Sequence, residues 1–212
     1  MKVRWRRRIL IAVAAAGGLA LVGSSIVIAT LAGTSPRRQL PTVSLGEASG
    51  SKPRPAPSTS WVRRSLRDSP PKLAALHREG GRIVGGDLDT RLHELRGRPV
   101  VLNAWASWCA PCREELPLMA RAAGRFGRRV AFLGADVDDS ATDAHRLLAG
   151  DHLSYPSYRI SASSLRELTP IVGFPTTIYL DRRGQVIFTR QGQYSSPGQL
   201  AADVRRFALG GG

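Results

Sequence analysis

The sequence predicts an α/β fold in which helices flank a central mixed β-sheet. Between residues 99 and 150, short apolar runs rich in β-branched residues alternate with segments whose apolar residues repeat at helical spacing. This alternation is typical of a β-α-β unit with a buried parallel sheet. Between residues 176 and 207, two strand-like segments joined by a Gly-containing turn precede an amphipathic segment. That order adds a hairpin and a closing helix to the same sheet.

The first 32 residues predict a signal-anchor. Residues 1–8 are strongly basic, and residues 9–32 form a run of 24 residues without a charge. As a helix that run covers about 36 Å, enough to cross a hydrocarbon core of about 30 Å. The basic segment is expected in the cytoplasm, and the chain after the span is expected outside it. A cleaved signal peptide is the alternative, although its apolar core usually has about 7–15 residues.

Residues 33–71 predict a disordered linker, because they are rich in Pro, Ser, Gly and Arg and poor in large apolar side chains. The chain has a net charge of +15. Residues 1–71 contribute 12 Lys or Arg and 2 acids (+10), and residues 72–212 contribute 19 and 14 (+5). Since most of the excess lies outside the predicted domain at 72–212, we do not expect a nucleic-acid partner.

The elements of the predicted domain follow from local patterns. Leu73, Leu76 and Ile83-Val84 predict a short helix before the Gly85-Gly86 break. The later predictions are a buried strand (99–106), a helix (109–126), a second buried strand (129–137), a helix capped by Asp139 or Ser140 and ending at Gly150, an irregular stretch, a hairpin (176–180 and 185–189) and a closing helix from Ser196-Pro197 that carries Leu200, Val204 and Phe207 on one face. The hairpin connection ends in Gly184, where a positive φ is expected.

Both cysteines lie in Trp108-Cys109-Ala110-Pro111-Cys112, where a predicted strand meets a predicted helix. Two intervening residues allow a disulfide to close across the first helical turn, and the helix N-terminus stabilises a thiolate. Cys109, nearer the loop, is predicted to be the attacking thiolate, and Cys112 is predicted to resolve the mixed disulfide. A structural disulfide would restrict the unfolded chain little because its loop is short. A zinc site would need two more ligands, and no histidine has a convincing spacing.

Two segments, LNAWASWCAPCREELP (102–117) and GFPTTIYLDRRGQV (173–186), resemble the TlpA/ResA/CcmG branch of the thioredoxin superfamily. Members of this branch are membrane-anchored thiol-disulfide oxidoreductases that work outside the cytoplasm. The resemblance covers about residues 72–210 and implies a thioredoxin-like fold. It also implies that the Phe174-Pro175 peptide bond is cis and lies beside the cysteines, where the backbone of Phe174 pairs with an extended substrate.

The resemblance also implies that Glu115 tunes the pKa values of the cysteines, and one helical turn separates it from Cys112. A solvated carboxylate favoured near a helix N-terminus is the alternative interpretation of Glu115. Asn103 stands where thioredoxins carry a buried aspartate, which leaves Glu115 or water as the proton acceptor. Trp108 is expected to cover the disulfide, and Trp105 is expected to pack in the core. The predicted substrate-binding residues are Trp108, Pro111, Phe174 and Pro175.

The sequence therefore predicts an extracytoplasmic enzyme that reduces protein disulfides through Cys109, Cys112 and Glu115, with no cofactor and no metal. The acidic residues at 136, 138 and 139 are interpreted as a solubilising loop. The resemblance implies that its substrates include apocytochrome c during cytochrome c maturation and that a CcdA/DsbD-type membrane protein is its electron donor. Two alternatives stay open: a DsbA-like oxidant that forms disulfides, and a non-catalytic metal or protein binding module on the same scaffold.

Overall fold

A computed structural model describes residues 55–151 and 153–210 and shows a six-stranded mixed sheet. The strands are β1 (Ile83–Val84), β2 (Val100–Trp105), β3 (Ala131–Val137), β4 (Ser157–Ile160), β5 (Thr176–Leu180) and β6 (Val186–Gln191). Their spatial order is β1-β4-β3-β2-β5-β6. The first four strands in that order are parallel, whereas β5 is antiparallel to β2 and to β6. The predicted α/β architecture with a mixed sheet is therefore confirmed.

Helices cover both faces of the sheet. They are α1 (Thr59–Ser65), α2 (Pro71–Arg78), α3 (Leu88–Glu94), α4 (Ala110–Phe126), α5 (Ala141–Asp151), α6 (Ala162–Leu168) and α7 (Pro197–Asp203), and α7 continues into a π-helix at Val204–Ala208. Alternate residues of β2 enter two separate apolar clusters. Val101 and Trp105 pack with residues of α4 and α7, whereas Leu102 and Ala104 pack with residues of α3 and α6. Because both faces are covered, every residue of β2 is buried.

The longer predicted elements agree with the structure. The β2-α4-β3-α5 order follows the predicted alternation, and the β5-β6 hairpin turns at Gly184 with a φ of +79°. The closing helix begins at Pro197, and the side chain of Ser196 caps it. These segments have enough consecutive patterned residues to specify their own secondary structure.

Four short elements differ from the predictions. Ile83–Val84 is the edge strand β1 and not part of a helix, and α3 follows it. The stretch predicted to be irregular contains β4 and α6. β4 has four residues, of which Ser157 and Tyr158 are buried, and it forms because it pairs with both β1 and β3. Its stability comes from these neighbours, and local periodicity gives no signal for it.

The predicted linker over 33–71 is wrong over residues 59–65, which form α1. Ser58 caps this helix by accepting a hydrogen bond from the Trp61 N–H, and Val62 is buried. The ring of Trp61 lies against Gly124 of α4, where a Cβ would come within 2.3 Å of it. A helix of seven residues is too short to be stable alone, so α1 depends on the packing of Trp61 and Val62 against the domain and on the space left by Gly124. The remainder of the predicted linker before Pro55 lies outside the described residues.

No helix within 55–151 or 153–210 is long and apolar enough to cross a bilayer. The predicted cytoplasmic segment at 1–8 and the predicted anchor at 9–32 lie outside the described residues.

Candidate active site

The two cysteines form a disulfide where β2 passes into α4. Cys109 is the residue that caps α4, and its Sγ accepts a hydrogen bond from the Cys112 N–H at 3.2 Å. The Cα atoms of the two residues are 5.2 Å apart across the first turn of the helix. Cys109 is 5% exposed and Cys112 is 1% exposed, whereas Pro111 between them lies at the surface. The pair thus lies at a helix N-terminus, where free backbone N–H groups favour an anionic sulfur.

Two aromatic side chains form a rim beside the disulfide. Trp108 is 58% exposed, and its ring meets that of Phe174 edge to face with centroids 5.9 Å apart. The Phe174–Pro175 peptide bond is cis, as the resemblance implies, and Pro175 is buried. The structure thus brings Trp108 and Phe174 together at the surface, and more than half of the Trp108 side chain is exposed to solvent. Trp105 is fully buried in the core, as expected.

Glu115 is buried inside α4 and is not the solvated carboxylate of the alternative interpretation. It is 1% exposed, and its two oxygens accept hydrogen bonds from Asn103 Nδ2 at 3.0 Å and from the Tyr194 N–H at 2.9 Å. Desolvation raises the pKa of Glu115 to about 7, although these hydrogen bonds and the charge of Arg190 oppose the rise. A carboxyl group that titrates near neutral pH, one helical turn from Cys112, is suited to exchanging a proton.

Tyr194 belongs to a polar network behind Glu115 that was not predicted from the sequence. Its hydroxyl lies 2.7 Å from the Tyr179 hydroxyl and donates to Asp203 Oδ2 at 2.8 Å. The guanidinium of Arg190 stacks over the Tyr194 ring at 4.4 Å and pairs with Asp203 at 3.6 Å. The irregular segment between β6 and α7 carries Tyr194, so no periodic pattern marks it. The pairing of β6 with β5, which sets Gln191 opposite Thr176, brings the segment after β6 to Glu115.

The acidic loop after β3 forms hydrogen bonds with the loop that precedes the cysteines. The interpretation of this acidic loop as a solubilising feature is therefore corrected. Asp139 accepts hydrogen bonds from the Ser107 N–H and, at 2.6 Å, from the Ser107 hydroxyl. The Asp138 carbonyl accepts from Trp108 Nε1 at 3.3 Å. The Asp136 side chain is fully buried, and its pKa is raised to about 7 by desolvation and by the neighbouring Asp139. The Asp139 carboxylate therefore helps to position Ser107, and the Asp138 backbone carbonyl helps to position Trp108.

No group of three or more His, Cys, Asp or Glu side chains in the described part of the chain could hold a metal ion. The sulfurs of Cys109 and Cys112 are bonded to each other. The site presents the disulfide, the buried carboxyl group of Glu115 and the aromatic pair Trp108 and Phe174.

Comparisons with known proteins give a family and several named relatives. The model of the AhpC/TSA family matches residues 83–189. The thiol-disulfide oxidoreductase ResA of Bacillus subtilis is 27% identical over 97 residues, which are 45% of this chain and 54% of ResA. The thiol:disulfide interchange protein DsbE of Pseudomonas fluorescens is 31% identical over 104 residues, which are 49% of this chain and 57% of DsbE. The chain thus spans little more than half the length of these curated relatives.

The fold is shared with a crystal structure of a thiol:disulfide interchange protein from Chlorobium tepidum. The two superpose with a TM-score of 0.51 at 24% sequence identity, covering 55% of this chain and 84% of the other. At this identity the likeness establishes the thioredoxin-like fold of the domain.

Proposed function

We propose that this chain, which belongs to the AhpC/TSA family, is a ResA/DsbE-type thiol-disulfide oxidoreductase that uses Cys109 and Cys112. The main support for this proposal is the disulfide at the N-terminus of α4, together with the carboxyl group of Glu115, which is buried one turn further along the helix. A purely structural bridge needs no such ionisable group beneath it. The family match and the similarity to ResA and DsbE agree with the TlpA/ResA/CcmG-like resemblance.

The proposed reaction begins with the reduced protein. The Cys109 thiolate attacks one sulfur of a substrate disulfide, the substrate S–S bond breaks, and the other substrate sulfur leaves as a thiolate that takes a proton from solvent. Cys112 then loses its proton and attacks Cys109 Sγ, which breaks the mixed disulfide and releases the second substrate sulfur as a thiolate that takes a proton from solvent. Two electrons pass to the substrate, and Cys109 and Cys112 end as the disulfide seen in the structure.

Glu115 is proposed to accept the Cys112 proton. Its burial keeps a carboxyl group whose pKa is about 7 inside the domain, so the group can take up and release a proton near neutral pH. Asn103 and the Tyr194 backbone fix its orientation. Asn103 occupies the position of the aspartate of thioredoxins but donates its amide hydrogen to Glu115, which makes Asn103 a positioning residue in this proposal.

The rim is proposed to bind the polypeptide on either side of the substrate disulfide. The backbone N–H and C=O of Phe174 form no hydrogen bond with other described residues, so they are available to an extended chain. Trp108 and Phe174 are proposed to present apolar ring surface to the same chain, together with the exposed Pro111, whereas the buried Pro175 is proposed to fix the backbone of Phe174 through its cis peptide bond. Backbone pairing gives little selectivity for sequence, which suits an enzyme that acts on protein disulfides.

The cellular setting is proposed from the sequence and the resemblance. Residues 9–32 would anchor the protein in a membrane, residues 1–8 would lie in the cytoplasm, and the catalytic domain would lie outside it. Apocytochrome c is the proposed substrate, and a CcdA/DsbD-type membrane protein is the proposed electron donor. The printed names of the relatives, thiol-disulfide oxidoreductase and thiol:disulfide interchange protein, support an exchange between thiols and disulfides, and the reducing direction is proposed from the resemblance.

Turnover of a protein disulfide tests the proposed reaction. The wild type should reduce insulin when a chemical reductant recycles it, and Cys109→Ser should lower the rate to the uncatalysed level. Cys112→Ser should instead accumulate a mixed disulfide with the substrate, visible on a non-reducing gel. Full activity of Cys109→Ser would contradict the nucleophile assignment, and metal retention without any turnover would favour a binding module.

A further inference from the structure

Helix α1 lies in a strongly basic surface that the proposed chemistry does not use. Two open grooves flank this helix, one bordered by α2 and α5 and the other by α4 and α7. We call their charged residues the α1 basic face: Arg63, Arg64, Arg67, Arg78, Arg121, Arg125 and Arg128. Among the described residues, neither groove is lined by an Asp or a Glu.

The charges of the α1 basic face are not neutralised within the described part of the chain. None of the seven arginines forms an ion pair with a residue in 55–151 or 153–210. Glu79, which directly follows Arg78, pairs with Arg91 instead. Six of the seven are exposed, whereas Arg121 is half-buried. A concave surface with one sign of charge concentrates ligands of the opposite sign.

The α1 basic face lies at the opposite end of α4 from the cysteines. Trp61 of α1 packs against Gly124, and Arg121 and Arg125 belong to the same half of α4. The disulfide caps the other end of this helix of 17 residues. At about 1.5 Å per residue, these two ends are separated by about 25 Å. A ligand on the basic face would therefore leave the disulfide accessible.

The chain enters the domain through this same surface. Arg121 Nη2 donates a hydrogen bond to the carbonyl of Pro55, four residues before α1. The sequence places only the 22 residues 33–54 between Pro55 and the end of the predicted anchor. If these residues form the disordered tether that their composition predicts, its average span is about 26 Å. If residues 9–32 cross a bilayer, the tether holds the basic face within reach of its surface.

We propose that the α1 basic face binds the anionic phospholipid headgroups of that bilayer. Each arginine held near an anionic surface strengthens the association about fivefold, and the tether supplies a high local concentration of the surface. Bound in this way, the domain would hold its disulfide about one helix length from the lipid surface. This proposal concerns a surface remote from the cysteines, and it stands or falls separately from the proposed chemistry.

The test places the full chain in lipid nanodiscs and follows amide hydrogen exchange. One set of discs contains phosphatidylcholine alone, and the other contains equal parts of phosphatidylcholine and phosphatidylglycerol. Exchange in α1 and in the second half of α4 should be slower in the anionic discs than in the neutral ones. The difference should vanish in 1 M salt, where the Debye length falls to about 3 Å.

A pair of matched variants separates the α1 basic face from net charge. Arg64→Glu with Arg125→Glu should abolish the protection, because loss of two arginines alone weakens the association about 25-fold. Arg146→Glu with Arg166→Glu changes the net charge equally at exposed positions of α5 and α6, and it should keep the protection.

Three results would overturn the proposal. The first is equal exchange in both kinds of disc, and the second is equal loss of protection in both variant pairs. The third is protection of α1 by heparin in neutral discs without protection by anionic lipid, which would assign the face to a polyanionic macromolecule.

Discussion

Replacement of Glu115 by glutamine should change how the stability of the oxidised protein depends on pH. Glu115 is buried, and its pKa is about 7 in the folded protein against an ordinary value of 4.5. The raised pKa means that the folded state favours the protonated carboxyl group. The contribution of Glu115 to the stability of the folded state is therefore complete below pH 4.5, and it is lost as the pH rises through 7.

The size of the effect follows from these two pKa values. Between pH 5 and pH 8, the unfolded chain releases this proton more readily than the folded domain does. For a group with these values, the free energy of unfolding falls by about 2.5 kcal/mol over that interval. Asp136, whose pKa is also raised to about 7, contributes in the same direction. Because Asp136 is present in both proteins, its contribution cancels when wild type and Glu115→Gln are compared.

Urea unfolding of a fragment spanning Ser49–Gly212, the compact unit that contains the domain, measures this difference. The free energy of unfolding of Glu115→Gln, minus that of the wild type, should rise by about 2.5 kcal/mol between pH 5 and pH 8. This change does not depend on how much the substitution itself alters stability at pH 5. Glu114→Gln, at the neighbouring exposed position, is the control and should follow the wild type. Parallel pH profiles for wild type and Glu115→Gln would refute the assignment of a buried, proton-exchanging carboxyl group.

Three further predictions concern packing and substrate binding. A fragment beginning at Lys72 should unfold about 3 kcal/mol more easily than Ser49–Gly212, because it lacks the buried Val62 and Leu66; equal urea midpoints and slopes would contradict the packing of α1. Gly124→Ala should destabilise by about 1 kcal/mol because its Cβ meets the Trp61 ring, despite the usual helical gain of alanine. In a Trp61→Ala variant, Gly124→Ala should instead increase the free energy of unfolding. A decrease in both the wild type and the Trp61→Ala variant would refute the clash between the Cβ and the Trp61 ring. Phe174→Ala should raise the KM for insulin about tenfold but leave reduction of a small aromatic disulfide unchanged; an equal loss on both substrates would argue against a rim that binds polypeptide.

Sequence reasoning was most successful where a segment specifies its own structure. The apolar run of β2, the helix after Cys109 and the turn at Gly184 each carry a local signal, and the structure has all three. β4 and α1 carry weak local signals, and both depend on neighbours that are distant in the sequence. β4 lies between two other strands, and α1 lies on α4 through the contact between Trp61 and Gly124.

In the candidate site, too, residues in local motifs were predictable, whereas contacts between distant segments were not. The cysteines, Glu115 and the proline loop lie in two short motifs, so a pattern in the sequence could identify them. The environment that gives Glu115 its raised pKa includes the Tyr194 backbone, which lies 79 residues further along the chain. The Asp139 contact with Ser107 likewise joins two loops at the end of neighbouring strands. Such contacts follow from strand order and register, which spacing within one motif does not encode.

The reduction potential of the Cys109–Cys112 pair tests the central claim most directly. The fragment Ser49–Gly212 would be equilibrated with defined thiol-disulfide buffers, dithiothreitol for low potentials and glutathione for higher ones, and the fraction oxidised would be read by thiol alkylation. A reductant of protein disulfides should show one two-electron transition at or below about −250 mV. A transition near about −120 mV would contradict the account, because the pair would then oxidise substrate thiols.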